Sequence, residues 1–141
     1  ATPAESVRAA AQRMTDHRVG ALLVVEGGKV VGILSERDVL DRVVSAQLDP
    51  GSISVGEVCT GAPVAVPPDT SVLDCYRLIH QGGFRHLPVI RSDGSPLGVL
   101  SARDFFRCLA VKAADPEIGM EALCERLGQL SGLTEKLDRL P

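Results

Sequence analysis

The sequence GILSERDVL, from Gly32 to Leu40, returns as GVLSARDFF from Gly98 to Phe106. Five of the nine positions are identical: the glycine, the leucine, the serine, the arginine and the aspartate. In both places a short apolar run ends at a serine and an amphipathic run follows, which is typical of a strand that passes into a capped helix. A repeated passage of this kind indicates a chain built from two copies of one unit.

The similarity extends upstream of both phrases. Ser6 and Val7 align with Ser71 and Val72 at an offset of 65 residues. The offset becomes 66 after the next turn, because the turn EGGK is one residue shorter than RSDGS. A loop between two strands tolerates such a change in length. Each copy therefore predicts a helix, two strands and a second helix, in that order.

The predicted boundaries follow from capping residues and apolar runs. The first helix is expected to begin at the capping box Thr2–Glu5 in copy one and at Ser71 in copy two. Strands are predicted over Ala21–Val25, Val30–Leu34, Leu87–Ile90 and Leu97–Leu100, and the second helices over Glu36–Ala46 and Ala102–Ala114.

The predicted fold class is α/β in the wider sense (α+β), with two pseudo-twofold-related repeats, each a small sheet packed with two helices. One unit cannot cover the apolar face of its own sheet, so the two copies are expected to share one core. The first repeat is assigned to residues 1–48, with the strand before its first helix missing, and the second to residues 49–114 with its linker and extended segment. Residues 115–141 are predicted to form a C-terminal helical extension, which packs on its own module or serves a second protomer or a partner.

The composition narrows the function classes. The chain has 141 residues, 45% of them hydrophobic and 23% charged, as in a folded domain. Its net charge of -3 and its 3% of aromatic residues argue against nucleic-acid binding. The four cysteines and three histidines show no metal-ligand spacing, and no apolar run approaches the roughly 18 residues of a membrane span. We therefore expect no metal, no membrane insertion, reduced thiols and a cytoplasmic location.

The repeated Ser-x-x-Asp permits two interpretations. It is a common capping box, in which the serine caps the helix and the aspartate occupies its first turn. The same geometry also suits a ligand, because a helix N-terminus attracts phosphate and an aspartate can accept from two vicinal hydroxyls. Gly32 and Gly98 would then let the backbone approach a flat ligand. No nucleophile elbow, Walker-A or dinucleotide fingerprint is present, so an enzyme is not expected.

The chain resembles a tandem pair of cystathionine-beta-synthase (CBS) domains, also called a Bateman module. The resemblance is carried by SVRAAAQRMTDHRVGALLVVEGGKVVGILSERDV and by VGEVCTGAPVAVPPDTSVLDCYRLIHQGGFRHLPVIRSDGSPLGVLSARDF. It implies that clefts between the repeats bind AMP, ADP, ATP or S-adenosylmethionine as a regulatory ligand, with no required cofactor. It also implies control of an attached or partner protein and no catalysis. A homodimer is expected, with an apolar patch at Phe105, Phe106 and Leu109.

The resemblance also implies the roles of individual residues. Asp38 and Asp104 would hold ribose hydroxyls, with Ser35 and Ser101 near the ribose or the phosphate. Adenine would lie against Ala62, Pro63 and Val64 and against the strand that begins near Leu87 and Pro88. Arg85 and His86 would face phosphates or form a solvated strand edge. Gly20 and Ala21, which stand at these positions in copy one, are also predicted ligand-binding residues. Arg37 and Arg103 would reach phosphate or form surface ion pairs.

The two clefts are not expected to be equal. The extended segment before copy two, together with Arg85 and His86, is assigned to the site around Asp104, which is predicted to bind better than the site around Asp38. The alternative function is a structural pairing module with degenerate clefts. Retention of the serine and the aspartate in both copies favours ligand binding.

Overall fold

The structure, a computed structural model, describes residues 1–107 and residue 115. The repeat prediction is confirmed in the order of its elements, since each copy has a helix, a strand hairpin and a second helix. Copy one contains α1 (Val7–His17), β1 (Ala21–Glu26), β2 (Lys29–Ser35) and α2 (Glu36–Val39), which continues into a π-helical turn (Leu40–Val44). The linker forms α3 (Val55–Val58) and β3 (Thr60–Gly61). Copy two contains α4 (Val72–Gly82), β4 (His86–Ile90) and β5 (Pro96–Ser101), and residues 102–107 are helical.

The two hairpins repeat the same irregularity. Both are antiparallel, and the register shifts between Val24 and Val25 in one and between Val89 and Ile90 in the other. The two shifts lie 65 residues apart, which is the offset found when the two copies are aligned by sequence. Small antiparallel sheets packed with helices confirm the predicted fold class.

The linker joins both sheets. Its strand β3 pairs with β2, placing Gly61 opposite Gly32 and Thr60 opposite Ile33. Further along, Val66 forms a parallel bridge with Val89 of β4. Gly32 was expected to leave room for a ligand, but a Cβ here would lie 2.9 Å from the Cys59 sulfur and 3.1 Å from the Thr60 carbonyl oxygen. Because Gly32 has no side chain, the linker can pack closely against β2.

Ala1 occupies the position that corresponds to Val66. The Val25 amide donates to the Ala1 carbonyl at 2.9 Å, and the Ile90 amide donates to the Val66 carbonyl at the same distance. Ala1 thus makes in copy one the backbone contact that Val66 makes in copy two.

The predicted start of the first helix at Thr2 is wrong, because α1 begins one turn later. Ser6 is its N-cap and accepts from the Ala9 amide at 3.3 Å. The Val7 amide donates to the carbonyl of Ile53 at 3.0 Å, and the carbonyl of Pro3 accepts from Gly56 at 2.9 Å. The linker therefore takes the backbone groups that an earlier helical turn would need.

The buried residues form two clusters, whereas the sequence analysis expected one shared core. The first comprises Val7, Ala10, Met14, Val24, Leu34, Val43, Val55 and Val58, and the second comprises Val66, Cys75, Ile79, Leu87 and Phe105. Each sheet is covered by helices of its own repeat and by part of the linker. The hairpins meet where the Val30 amide donates to the Gly94 carbonyl at 3.0 Å.

The apolar patch expected on the second helices is only partly present. Phe105 is buried, because it packs into the second cluster and meets Tyr76 edge to face at 6.0 Å. Phe106 is 73% exposed, and its counterpart Leu40 in copy one is 57% exposed. Leu109 lies outside the described residues, as does the predicted extension apart from Asp115.

Candidate functional site: a cleft between the repeats

A cavity of about 370 Å³ lies between the β2–α2 junction, the linker and the segment that joins α4 to β4. Its volume is at the lower end of the roughly 300–1,000 Å³ of small-molecule sites. It is lined by Ile33, Ser35, Arg37, Asp38, Thr60, Ala62, Pro63, Val64, Gly83, Phe84, Arg85 and His86. The walls thus come from both repeats and from the segment between them.

The β2–α2 junction is a capping box. The Ser35 amide donates to Asp38 Oδ2 at 2.8 Å, and the Ser35 hydroxyl donates to the same oxygen at 2.6 Å. In return, Ser35 Oγ accepts from the Asp38 amide at 3.3 Å. The Ser-x-x-Asp pattern is therefore a cap here, and the cap also fixes a carboxylate at the cavity wall.

The second carboxylate oxygen of Asp38 faces the linker. Asp38 Oδ1 accepts from the Thr60 hydroxyl at 3.4 Å and lies 3.2 Å from Nη2 of Arg42. The Asp38 side chain is 12% exposed. Because the contacts to Oδ1 are longer than those to Oδ2, Oδ1 is the oxygen that can exchange a partner for a ligand hydroxyl.

Arg85 and His86 add basic groups on the side of copy two. Burial lowers the pKa of His86 below its usual 6.5, and Arg85 lowers this pKa further. Glu36, Asp104 and Asp38 oppose the shift with smaller effects. His86 is therefore neutral at pH 7, and Arg85 supplies a positive charge at this wall.

Gly20 lies where the two repeats come closest in this region. A Cβ on Gly20 would lie 3.2 Å from Nε2 of His86 and 3.3 Å from a carboxylate oxygen of Glu36. Neither Gly20 nor Ala21 lines the cavity, and Ala21 is buried opposite Ser35 in the β1–β2 hairpin. Gly20 therefore lies close to His86 of the other repeat, and Ala21 belongs to the packed β1–β2 hairpin.

The cavity groups the predicted site residues differently from the sequence-based expectation. Ala62–Val64 and the pair Arg85 and His86 were assigned to the cleft of Asp104, but they line a cavity with Ser35 and Asp38. The reason is the pairing of β3 with β2, which carries the linker past the first copy before it reaches the second. Asp104 is not among the residues that line this cavity.

The junction in copy two repeats the cap, and it lies beside the strand that carries His86, since His86 pairs with Ser101 and the Ala102 amide donates to the Arg85 carbonyl at 2.9 Å. The amide and hydroxyl of Ser101 donate to Asp104 Oδ2 at 2.7 and 2.8 Å. Arg103 is exposed. Leu87 and Pro88, expected beside adenine, are fully buried and do not line the cavity, because their strand faces the second cluster and Val66 covers it.

Sequence reasoning missed several lining residues, among them Thr60 and Phe84. Phe84 is one of only three phenylalanines in a chain without tryptophan, and it directly precedes Arg85 and His86. Thr60 precedes the extended segment of the linker. Both could have been identified from the sequence, because one is an aromatic residue and the other a hydroxyl residue close to predicted site residues.

The described residues hold no further site of the kinds sought from the sequence. Among them, no group of three or more His, Cys, Asp or Glu side chains could hold a metal ion. Within the same part of the chain, no helix has the length and apolarity needed to cross a bilayer.

Comparison with known proteins gives a consistent result. The CBS domain family model matches residues 1–45 and 55–111. The CBS domain-containing protein CBSCBSPB3 of Arabidopsis thaliana is 41% identical over 93 residues, which are 66% of this chain and 17% of that protein. The chain spans less than two thirds of the length of the curated relatives CBSCBSPB3, CBSCBSPB2 and an uncharacterized protein of Acidianus ambivalens.

Solved structures agree with this fold. A protein with CBS domains from Burkholderia ambifaria has a TM-score of 0.73 at 31% identity, over 84% of this chain and 85% of that one. CBSX2, a CBS-pair protein from Arabidopsis thaliana, has been solved in complex with AMP. This complex has a TM-score of 0.69 at 28% identity, over 79% of this chain and 88% of that one.

Proposed function

The chain belongs to the CBS domain family, and from this membership and the cleft beside Asp38 we propose that it is a regulatory module for an adenine nucleotide. The observation that carries the proposal is one cavity with three kinds of wall. Asp38 offers a carboxylate oxygen, Ala62–Val64 offer an apolar extended segment, and Arg85 offers a positive charge. A nucleotide presents the matching diol, flat base and phosphate.

Each contact has a physical basis. Oδ1 of Asp38 can accept from two vicinal hydroxyls once its long contact to Thr60 relaxes. The adenine ring would lie between the linker and Ile33 or Phe84, where it loses contact with water. The phosphate would lie towards Arg85, and Arg37 lines the wall formed by the β2–α2 junction.

The charge of the cavity discriminates between the ligand classes that the sequence left open. S-adenosylmethionine carries a positive sulfonium near the ribose, which Arg85 would repel. AMP, ADP and ATP carry negative charge at the corresponding end, which Arg85 attracts. We therefore favour AMP, ADP or ATP. The AMP complex of CBSX2 supports this class of ligand.

The module is proposed to act on an attached or partner protein and to catalyse nothing itself. Its relatives are named as CBS domain-containing proteins, without a reaction. The cytoplasmic location expected from the sequence stays a prediction, as does the division into residues 1–48, 49–114 and 115–141.

A homodimer is part of the proposal. Leu40 and Val44 are 57% and 59% exposed on the second helix of copy one, and Phe106 is 73% exposed on that of copy two. A second copy that covered these side chains would remove apolar surface from water. The same observation favours the second candidate function, a pairing module with degenerate clefts.

Isothermal titration of the purified protein with AMP, ADP, ATP and S-adenosylmethionine tests the proposal. We expect saturable binding of at least one nucleotide and weaker binding of S-adenosylmethionine. If none of the four binds at millimolar concentration while the protein remains a dimer, the pairing module is the correct function.

A further inference from the structure

We propose that Arg42 is a positioning residue for the ribose contact of Asp38. This inference rests on the proposed function and names a residue that neither the repeat nor the cavity lining identifies. Arg42 lies in the π-helical turn that follows α2, one helical turn beyond Asp38. It would act through the carboxylate of Asp38 and not by touching the nucleotide.

The guanidinium of Arg42 connects three segments of the cleft. Its Nη1 donates to the carbonyl of Val58 at 2.6 Å, at the end of α3. Its Nη2 donates to the hydroxyl of Thr60 at 3.2 Å, in β3, and lies 3.2 Å from Asp38 Oδ1 in α2. The linker and the carboxylate are thus held by one rigid group.

The chemistry of arginine suits this task. Its planar fork presents donors in fixed directions, so that fixing one nitrogen on Val58 orients the other. The Asp38 side chain is 12% exposed, and a carboxylate so far removed from water needs a charged or hydrogen-bonded partner. Ser35 holds Oδ2 through the cap, whereas Arg42 and Thr60 hold Oδ1 more loosely. Oδ1 therefore keeps a defined direction while it remains able to accept from a diol.

The duplication shows that the arginine is not required by the cap. Asp104 keeps the same bonds from Ser101, at 2.7 and 2.8 Å. At the offset of 66 residues, the place of Arg42 is taken in the sequence by Cys108. A thiol provides neither the charge nor the fork of a guanidinium. Arg42 is thus a feature of the copy whose junction lines the cavity.

The test compares AMP with 2′-deoxy-AMP, because the two ligands differ only in one hydroxyl of the diol. The parent protein should bind AMP about tenfold to a hundredfold more tightly, as expected for loss of a hydrogen bond to a charged group. In Arg42→Gln this ratio should fall to about threefold or less. Arg42→Lys should fall between the two, because lysine keeps the charge and loses the fork.

Arg77→Gln is the matched control. Arg77 pairs with Asp74 at 3.0 Å beside the serine N-cap of α4, where the Ser71 hydroxyl donates to Asp74 at 2.6 Å. This set has the same residue types as Arg42, Asp38 and Ser35. None of its three residues lines the cavity. Arg77→Gln should leave the ratio unchanged.

The outcomes separate the inference from the proposed function. If the parent binds neither nucleotide, the proposed function fails and the role of Arg42 fails with it. If the parent discriminates but Arg42→Gln weakens both ligands equally, Arg42 is only structural and the inference alone is wrong. Tighter binding of AMP by Arg42→Gln would show that the arginine competes with the ribose for Asp38, and this result would also overturn the inference. Should Arg42→Gln not fold, as judged by circular dichroism, Arg42→Lys carries the same comparison.

Discussion

Asp38→Asn and Asp104→Asn form a matched pair, because the two aspartates have the same cap and different surroundings. Asp38 lines the cavity with the linker and Arg85, whereas Asp104 does not. If the cleft beside Asp38 is the main nucleotide site, only Asp38→Asn should abolish most of the stabilisation by AMP. This ranking reverses the one expected from the sequence, because the linker lies beside Asp38.

The cost of either substitution without ligand should be small. Asparagine keeps an acceptor for the serine amide but loses the negative charge in the first helical turn, which costs about 0.3–1 kcal/mol. Asp38→Asn also loses its ion pair with Arg42, whose side chain is 45% exposed, so that this term is at most about 1 kcal/mol. Without ligand, Asp104→Asn should therefore unfold within about 4 °C of the parent, and Asp38→Asn within about 8 °C.

The effect on binding should be larger. An asparagine turns a donor towards the diol, and loss of a charge-assisted hydrogen bond costs about 1.5–3 kcal/mol, or roughly tenfold to a hundredfold in affinity. At 100 times the parent dissociation constant, AMP stabilises the parent by about 2.7 kcal/mol. The same AMP concentration would stabilise Asp38→Asn by only about 0.4–1.4 kcal/mol.

Thermal melts with and without AMP measure this difference. At about 4 °C per kcal/mol, the parent should gain about 11 °C and Asp38→Asn about 2–6 °C. Asp104→Asn should keep most of the parent shift. An unchanged shift in Asp38→Asn would show that the aspartate is only a helix cap, and a loss confined to Asp104→Asn would place the main site in the other cleft.

Three further predictions, each tested by substitution, concern other parts of the structure. Gly32→Ala should lower the free energy of unfolding by about 1–3 kcal/mol in urea titrations, because its Cβ would lie 2.9 Å from a sulfur and 3.1 Å from a carbonyl oxygen of the linker. A Cβ on Gly98 would have no described atom within 4 Å, so Gly98→Ala should lower the free energy of unfolding less than Gly32→Ala does. Equal losses of stability in the two variants would contradict the packing of the linker against Gly32. Because burial lowers the pKa of His86 below 6.5, the stability linked to it is present above pH 6.5 and is lost as the pH falls below that value. The parent should therefore lose more stability than His86→Gln between pH 7.5 and 5.5. An equal loss in the two proteins would be evidence against a lowered pKa of His86 in the folded protein. Glu in place of Leu40 or Phe106 should shift sedimentation from dimer towards monomer, whereas an unchanged dimer would place the interface elsewhere.

The repeat alignment predicted local structure well because capping and hydrophobic alternation act over a few residues. It also contained the correct start of α1, since Ser6 aligns with the N-cap Ser71. The stronger local signal at Thr2 failed because Ile53 and Gly56 bind the backbone of that segment. A distant partner thus overrode a capping pattern that was sound in isolation.

The grouping of the site could not be predicted in the same way. Strand β3 has two residues, too few to show a pattern, and its pairing depends on the free edge of β2. That pairing decides that Ala62–Val64 lie beside Asp38. A sequence shows that an extended segment exists between the copies, but not which sheet it joins first.

The Ser-x-x-acid cap itself carries no information about ligands. The linker has the same reciprocal cap, in which the amide and hydroxyl of Ser54 donate to Glu57 at 2.8 and 2.6 Å on an exposed surface. What distinguishes Asp38 is its second oxygen, which faces Thr60 and Arg42 instead of solvent. Duplication supplied two carboxylates with the same serine cap, and the linker, by pairing with the first copy, lies beside Asp38. Under the proposed function, the nucleotide is therefore expected first in the cleft beside Asp38.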